Sequence, residues 1–210
     1  MARPKRAPAA GSRERVFAAA AAEFAARGYA GANMDRIARA ARLNKAMIYY
    51  HFDNKAALYR AILRDMFGAV RSAVAEAAAA PIPPEAKIRQ YVEAIARAAE
   101  ARPHFPPIWL RELAEGGEHV DAATLEYLRD VLGVLGGIVA EGRRRRVFHA
   151  VNPMLLQGAI IAPLMFFLAS ARLRRKIERA APDARFTVSR DAMVAHIQRL
   201  TLAQLEGKIS

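Results

Sequence analysis

Residues 33–55 read Asn-Met-Asp-Arg-Ile-Ala-Arg-Ala-Ala-Arg-Leu-Asn-Lys-Ala-Met-Ile-Tyr-Tyr-His-Phe-Asp-Asn-Lys, and their spacing predicts two short helices meeting at a tight corner. Asn33 is a good N-cap. Ile37, Ala38 and Ala41 then form an apolar stripe on a helix that ends near Ala41. After a corner at Arg42 and Leu43, Asn44 offers a second cap, and Ile48 and Phe52 give the next segment an inward face. Two helices of about two turns, joined by about three residues, form the helix-turn-helix unit, whose second helix can enter a DNA major groove.

With Ile48 and Phe52 inward, Lys45, Ala46, Met47, Tyr49, Tyr50 and His51 are left wholly or partly outside. Exposed aromatics on so short a helix cost solubility unless they meet a partner. A tyrosine ring suits a thymine methyl and its hydroxyl suits a phosphate. Packing of Tyr49 or Tyr50 on a neighbouring helix is the alternative, and it accounts for either tyrosine but not for the whole set.

Met34-Asp-Arg-Ile-Ala-Arg-Ala-Ala, then Leu43-Asn-Lys-Ala-Met-Ile-Tyr-Tyr-His-Phe, then Asn54-Lys-Ala-Ala-Leu together resemble the DNA-binding domain of the TetR (tetracycline repressor) family of bacterial one-component regulators. The resemblance runs from about Arg13 to Leu63. It implies an all-α fold, with an N-terminal three-helix helix-turn-helix domain and a C-terminal helical domain for ligand binding and dimerisation. It also implies that Lys45, Ala46, Met47 and Tyr49 approach bases while Tyr50, His51 and Lys55 anchor phosphates, with Asn33, Arg42 and Asn44 completing the expected DNA-binding set. The chain departs from the family at three points: Arg42 stands where Gly is usual at the corner, and Asn33 and Asn44 replace Thr and Ser caps. Arg42 must adopt, or avoid, a conformation that Gly reaches without steric cost.

The 210-residue chain has room for one or two small domains and carries a net charge of +13. Residues 1–60 hold 12 basic and 4 acidic side chains, a surplus of +8, against +5 in the rest. The positive charge therefore sits where the motif sits, which suits a polyanion and would also draw the chain to an anionic membrane surface. With no cysteine, disulfide, zinc-ribbon and thiol chemistry are excluded, and a reducing cytoplasm is the natural home, with the nucleoid as the location when DNA is bound. Residues 1–12 are charged and lack the apolar run of a signal peptide, so they are expected to form a disordered basic arm, either solvated or brushing the DNA.

Ser12 is the expected cap of a first helix carrying Val16, Phe17, Ala20, Phe24 and Tyr29, with Gly28 as its stop. Residues 13–55 then make the DNA-binding domain. Asn54 caps a connecting helix, residues 56–80, buried along Leu58, Ile62, Phe67, Val70 and Val74, with Gly68 as a weak point or a packing accommodation. Prolines 81, 83 and 84 end it. Helical patterns resume at 85–101, 106–115 and 119–141, the last with Val120, Leu125, Leu128, Leu132, Leu135 and Val139 in its stripe, and residues 84–207 form the regulatory and dimerisation domain. Arg143–Arg146 are expected to be a solvated helix end that complements the helix dipole.

Met154–Ala171 is eighteen residues without a charge, followed by Arg-Leu-Arg-Arg-Lys. It fits either a transmembrane span, which would make the protein a membrane-tethered DNA binder, or a helix buried at a subunit interface. Pro163, and an apolar length at the short limit for a bilayer, favour the interface, so no membrane is expected. Pro163 should also kink the helix. A last helix, 186–206, carries Met193, Ile197, Leu200 and Leu205 on one side. The resemblance implies that helices 153–179 and 186–206 pair with their copies in a homodimer that binds a double-stranded operator and an unidentified small-molecule effector, without a cofactor. His104, Phe105, Trp109, Leu113, Met154 and Phe166 are the candidate pocket walls, with His119 and His149 as further polar contacts, and an apolar or aromatic effector suits them. No catalytic motif is present, so an enzyme is not expected.

Overall fold

Ten helices and no strand make up the described residues, 11–181 and 187–208, of this computed structural model. They are α1 (Ser12–Gly31), α2 (Met34–Ala40), α3 (Lys45–His51), α4 (Lys55–Ala79), α5 (Pro84–Glu100), α6 (Phe105–Ala114), α7 (Ala122–Arg144), α8 (Pro153–Ala169), α9 (Ala171–Ala180) and α10 (Arg190–Leu205). The all-α expectation is met. The expected basic arm lies outside the described residues as far as residue 10.

The first compact unit comprises the chain up to Asp65 together with Pro107–Asp121. The sequence reading put residues 107–121 in the regulatory domain and made 56–80 one connector. Instead, α6 from Pro107 on and the loop after it belong with α1–α3, and the boundary between the units falls within α4, after Asp65. The reason lies at the end of α1. Gly28, at φ 69°, breaks the regular helix where a stop was expected, and the carbonyls before the break lose their intrahelical donors. Arg111 supplies them: its guanidinium donates to the carbonyls of Phe24 (3.1 Å), Ala25 (2.6 Å) and Ala26 (3.4 Å). At the other end, the cap position is held by Gly11 and not Ser12, and no side chain caps the helix there, because the Ser12 hydroxyl is engaged elsewhere. Val16, Phe24, Ile37, Ile48, Leu58 and Ile62 are fully buried in this unit's core, each worth about 1.5–3 kcal/mol relative to exposure.

The second unit holds Met66–Pro106 and everything from Ala122 onward. Ile88, Tyr91, Val92 and Ile95 of α5 are buried, at the spacing the sequence predicts. α7 starts at Ala122, not 119, and buries Thr124, Val131, Leu135, Ile138 and Val139, while Leu125 faces outward. α10 likewise buries Val194, Ile197, Thr201, Leu202 and Leu205 and turns Leu200 out. Gly68 is a packing accommodation inside an unbroken α4: a Cβ there would meet the Tyr127 ring at an ordinary 3.6 Å. The arginines 143–146 are exposed, as expected.

The single long helix expected over 153–179 is two helices, α8 and α9, bent by 58° at Ser170. Arg174 explains the break, since its guanidinium donates to the Phe167 carbonyl and to Ser170 Oγ and lies over the Phe167 ring, so it ends α8 instead of extending it. No single helix among the described residues is long and apolar enough to cross a membrane, and α8 and α9 pass that test only together and bent. Among the buried polar groups of this unit is the Tyr91 hydroxyl, 2.8 Å from Gln157 Oε1 and 3.2 Å from the Val131 carbonyl. Burial pushes the Tyr91 phenol well above its usual range.

Candidate nucleic-acid interface

Both predicted caps form. Asn33 Oδ1 accepts from the Asp35 N–H at 2.7 Å and the Arg36 N–H at 3.3 Å, and Asn44 Oδ1 accepts from the Met47 N–H at 2.9 Å. These bonds satisfy amides that a short helix leaves without partners. Glu23 of α1 fixes α2 from behind, accepting from the Asn33 N–H (3.2 Å) and from Arg36 Nε (2.7 Å). At the corner, Arg42 adopts the left-handed conformation, φ 54°. Its N–H donates to Arg39 and the next one to Ala38, at 3.1 and 3.0 Å, the C-cap arrangement that Gly ordinarily supplies. The left-handed corner is thus formed without a glycine, at a conformational cost of about 1 kcal/mol or more.

Ile48 and Phe52 anchor α3 in the core. Lys45, Ala46, Tyr49 and Tyr50 face outward, and Met47 is half-buried. The tyrosines are 44% and 63% exposed, so neither packs into its own subunit. Lys45 meets Asp35 at 3.2 Å, an exposed pair that a polyanion can displace. The three residues assigned to phosphates differ in state. Tyr50 is free to reach out, but His51 Nε2 lies 2.6 Å from Ser12 Oγ. Lys55 is folded back, with Nζ 3.4 Å from the Ala30 carbonyl and 4.7 Å from the centre of the Tyr29 ring. For either to touch DNA it must leave α1.

The candidate pocket walls differ in burial. Leu113, Met154 and Phe166 are all more than half exposed, Phe105 is buried edge-on against Phe67 at 5.3 Å, and His104 and Trp109 are half-buried. Since α8 is apolar on every side, its sequence does not say which side is inner, and the structure buries Leu156, Ile160, Leu164, Met165 and Phe167 in place of Met154 and Phe166.

A polar cluster in the first unit was not singled out from the sequence. Glu112 is fully buried. Its Oε2 accepts from the Tyr59 hydroxyl at 2.9 Å and lies 3.3 Å from His119 Nδ1, and its Oε1 accepts from the His119 N–H at 2.7 Å. Burial and the bond to Glu112 push the Tyr59 phenol far up. The signal was present: Glu112 lies four residues after Ile108, which is itself buried, so helical spacing puts a carboxylate on the inner face of α6.

Residues 16–62 match the family model described as bacterial regulatory proteins, tetR family. The HTH-type transcriptional repressor NicS of Pseudomonas putida is 27% identical over 165 residues, 77% of each chain. The HTH-type transcriptional repressor SCO4008 of Streptomyces coelicolor is 50% identical over 52 residues, 25% of this chain and 27% of that one. Among solved structures, a bacterial regulatory protein in the tetR family from Rhodococcus RHA1 covers 92% of this chain and 96% of its own at 20% identity, with a TM-score of 0.76. The fatty acid degradation regulator FadR from Bacillus halodurans covers 95% and 97% at 20% identity, with a TM-score of 0.70. Those two structures bear on the fold, while the N-terminal match falls on the helices just described. The segment with the capped α2 and α3, the left-handed corner and the outward tyrosine pair is thus the part of this chain that matches the tetR family of bacterial regulatory proteins.

Proposed function

We propose that the protein is a ligand-responsive repressor that binds a near-palindromic operator as a homodimer and is released by a small, largely apolar effector. The observation that carries the reading is α3. It is a seven-residue helix held by Asn44, Ile48 and Phe52, and it turns two adjacent tyrosines and a lysine to solvent. Two copies would set two such helices about 34–36 Å apart, one turn of DNA. The protein would act in the cytoplasm, at the nucleoid when bound, and needs no cofactor for this role.

The outer side of α8 supports pairing with a second copy. Leu155, Ala159, Ala162 and Phe166 are exposed at helical spacing, with Leu155 and Phe166 at 69% and 71%. Small residues between two large ones let another helix approach closely, and α10 adds Leu200. For the effector, the support is a largely aliphatic interior from α5, α7 and α8 that includes a polar spot, Tyr91 with Gln157. An apolar molecule with a single hydrogen-bonding group suits it. A coupling of about 1–3 kcal/mol between effector and DNA changes operator affinity about 5- to 150-fold.

The test is fluorescence anisotropy of the full chain on the palindrome upstream of its own gene, with unrelated duplex as competitor. Selective binding is expected, and Tyr49→Ala should weaken it by about 1–3 kcal/mol. Equal affinity for all duplexes would replace the reading with a sequence-blind binder. Light scattering that finds a monomer at every concentration would remove the dimer.

A further inference from the structure

We infer that Glu112, Glu115 and His119 form a binding site for one first-row divalent transition-metal ion, with Zn²⁺ the ion that fits best. One ligating atom from each residue lies within 4.8 Å of the others. All three are in the first compact unit, on the last turns of α6 and the loop that follows. The loop turns back through Gly116 and Gly117, both left-handed at φ 77° and 78°, which returns His119 to the carboxylate of Glu112.

Two features go beyond a chance gathering of charges. The Glu112 Oε2 to His119 Nδ1 separation is 3.3 Å. That is long for a charge-assisted N–H···O bond, which is ordinarily about 2.7–2.9 Å. Both atoms are near enough to reach one ion with bonds of about 2.0–2.1 Å to nitrogen and oxygen. Glu112 is also oriented from outside the triad, since the Tyr59 hydroxyl bonds Oε2 at 2.9 Å, while the His119 backbone N–H bonds Oε1 at 2.7 Å from within it. Ligating carboxylates are held by such outer partners, and these are worth about 10- to 100-fold in affinity where measured. His119 in turn packs on Tyr29, ring centres 3.9 Å apart, so its imidazole is already positioned.

The donor set selects the ion. Two carboxylates and one imidazole suit Zn²⁺, Mn²⁺ or Fe²⁺ better than Ca²⁺, which takes six to eight oxygens, or Cu(I), which prefers sulfur. Glu112 is buried and Glu115 exposed, so the ion would be fixed on the protein side and completed by water on the other. Bound there, it would clamp the 115–119 loop to the unit that carries the helix-turn-helix. The inference does not depend on DNA binding.

The experiment is calorimetric titration of tag-free full-length protein, freed of metal by chelation, with ZnCl₂ and separately with MnCl₂ in the absence of DNA. One Zn²⁺ per chain is expected, with a rise in melting temperature on loading. Glu115→Gln, which alters only an exposed side chain, and His119→Gln should each weaken uptake at least tenfold while keeping the helical circular dichroism. No saturable Zn²⁺ uptake by the wild type, or uptake that survives Glu115→Gln unchanged, would overturn the site.

Discussion

Ser12 Oγ lies 2.6 Å from His51 Nε2, which ties the first turn of α1 to the last residue of α3. The reading helix is thus held at its C-terminal end by a side chain that family resemblance assigned to the DNA backbone. Ser12 is 2% exposed, so its hydroxyl has no water to turn to when the imidazole is removed. Leaving such a group unpaired costs about 1–3 kcal/mol. Ser12→Ala and His51→Ala are each expected to lower the urea midpoint, and His51→Ala should leave the salt dependence of DNA binding unchanged. A salt slope smaller by about one unit would return His51 to the phosphates.

Arg42 gives a second prediction because it holds φ 54° at the corner. A side chain in this region costs about 1–2 kcal/mol that glycine avoids, offset in part by the freer unfolded chain of glycine. Arg42→Gly should therefore stabilise the protein by about 0.5–1 kcal/mol, read as a higher urea midpoint with an unchanged m-value. A lower midpoint would mean that the guanidinium contributes more to the folded state than its exposed position indicates.

What the sequence revealed and what it hid follow from the range of the interactions. The caps at Asn33 and Asn44 and the inward pair Ile48 and Phe52 are local, since each partner lies within four residues, and the motif could be read directly. Arg111 reaches the carbonyls of Phe24, Ala25 and Ala26 across 85 to 87 residues, and no local pattern encodes that. The assignment of 107–121 to the first unit was hidden for the same reason. In α7 the difficulty was an excess of signal: Leu125, Leu128, Leu132 and Leu135 keep helical spacing as well as Val131, Leu135, Ile138 and Val139 do, and only packing chooses. The exposure of Met154 and Phe166 was not legible because the apolar sequence of α8 does not mark its outer face.

Gly142 and Gly68 separate two uses of glycine in a helix. A Cβ at Gly142 would lie 2.0 Å from Phe148 Cδ2, whereas one at Gly68 would find Tyr127 at 3.6 Å. Gly142→Ala must displace the Phe148 ring and should cost about 1–3 kcal/mol. Gly68→Ala should instead add about 0.5–1 kcal/mol of stability through helix propensity. Paired chemical denaturation curves of the two variants check the opposite signs, and equal shifts would contradict the packing at Phe148.

Glu93 predicts a pH effect. Burial alone would raise its pKa, but hydrogen bonds from Arg190 and Arg97 outweigh it and hold the carboxyl below its ordinary 4.5. The unfolded chain therefore takes up the proton first as acid is added. The contribution is present above about 4.5 and is lost as pH falls through the lower folded value. Glu93→Gln should melt earlier than wild type at pH 7, and the gap should narrow as pH drops below that point. A gap independent of pH would mean that the loss is one of packing and not of charge.

Lys55 presents the sharpest choice at the interface. Its ammonium sits 3.4 Å from the Ala30 carbonyl and over the Tyr29 ring, where it complements the carbonyl end of α1, a placement worth about 0.3–1 kcal/mol at an exposed site. A phosphate is a stronger partner for a lysine than either, and releasing a counterion adds to the gain. If the side chain swings out on binding, Lys55→Ala weakens all duplexes alike and lowers the salt slope by about one unit, with little change in melting temperature. This is the expected outcome. An unchanged slope together with an earlier melt would instead make Lys55 a cap of α1 alone, leaving Tyr50 as the sole exposed member of the three residues assigned to the backbone.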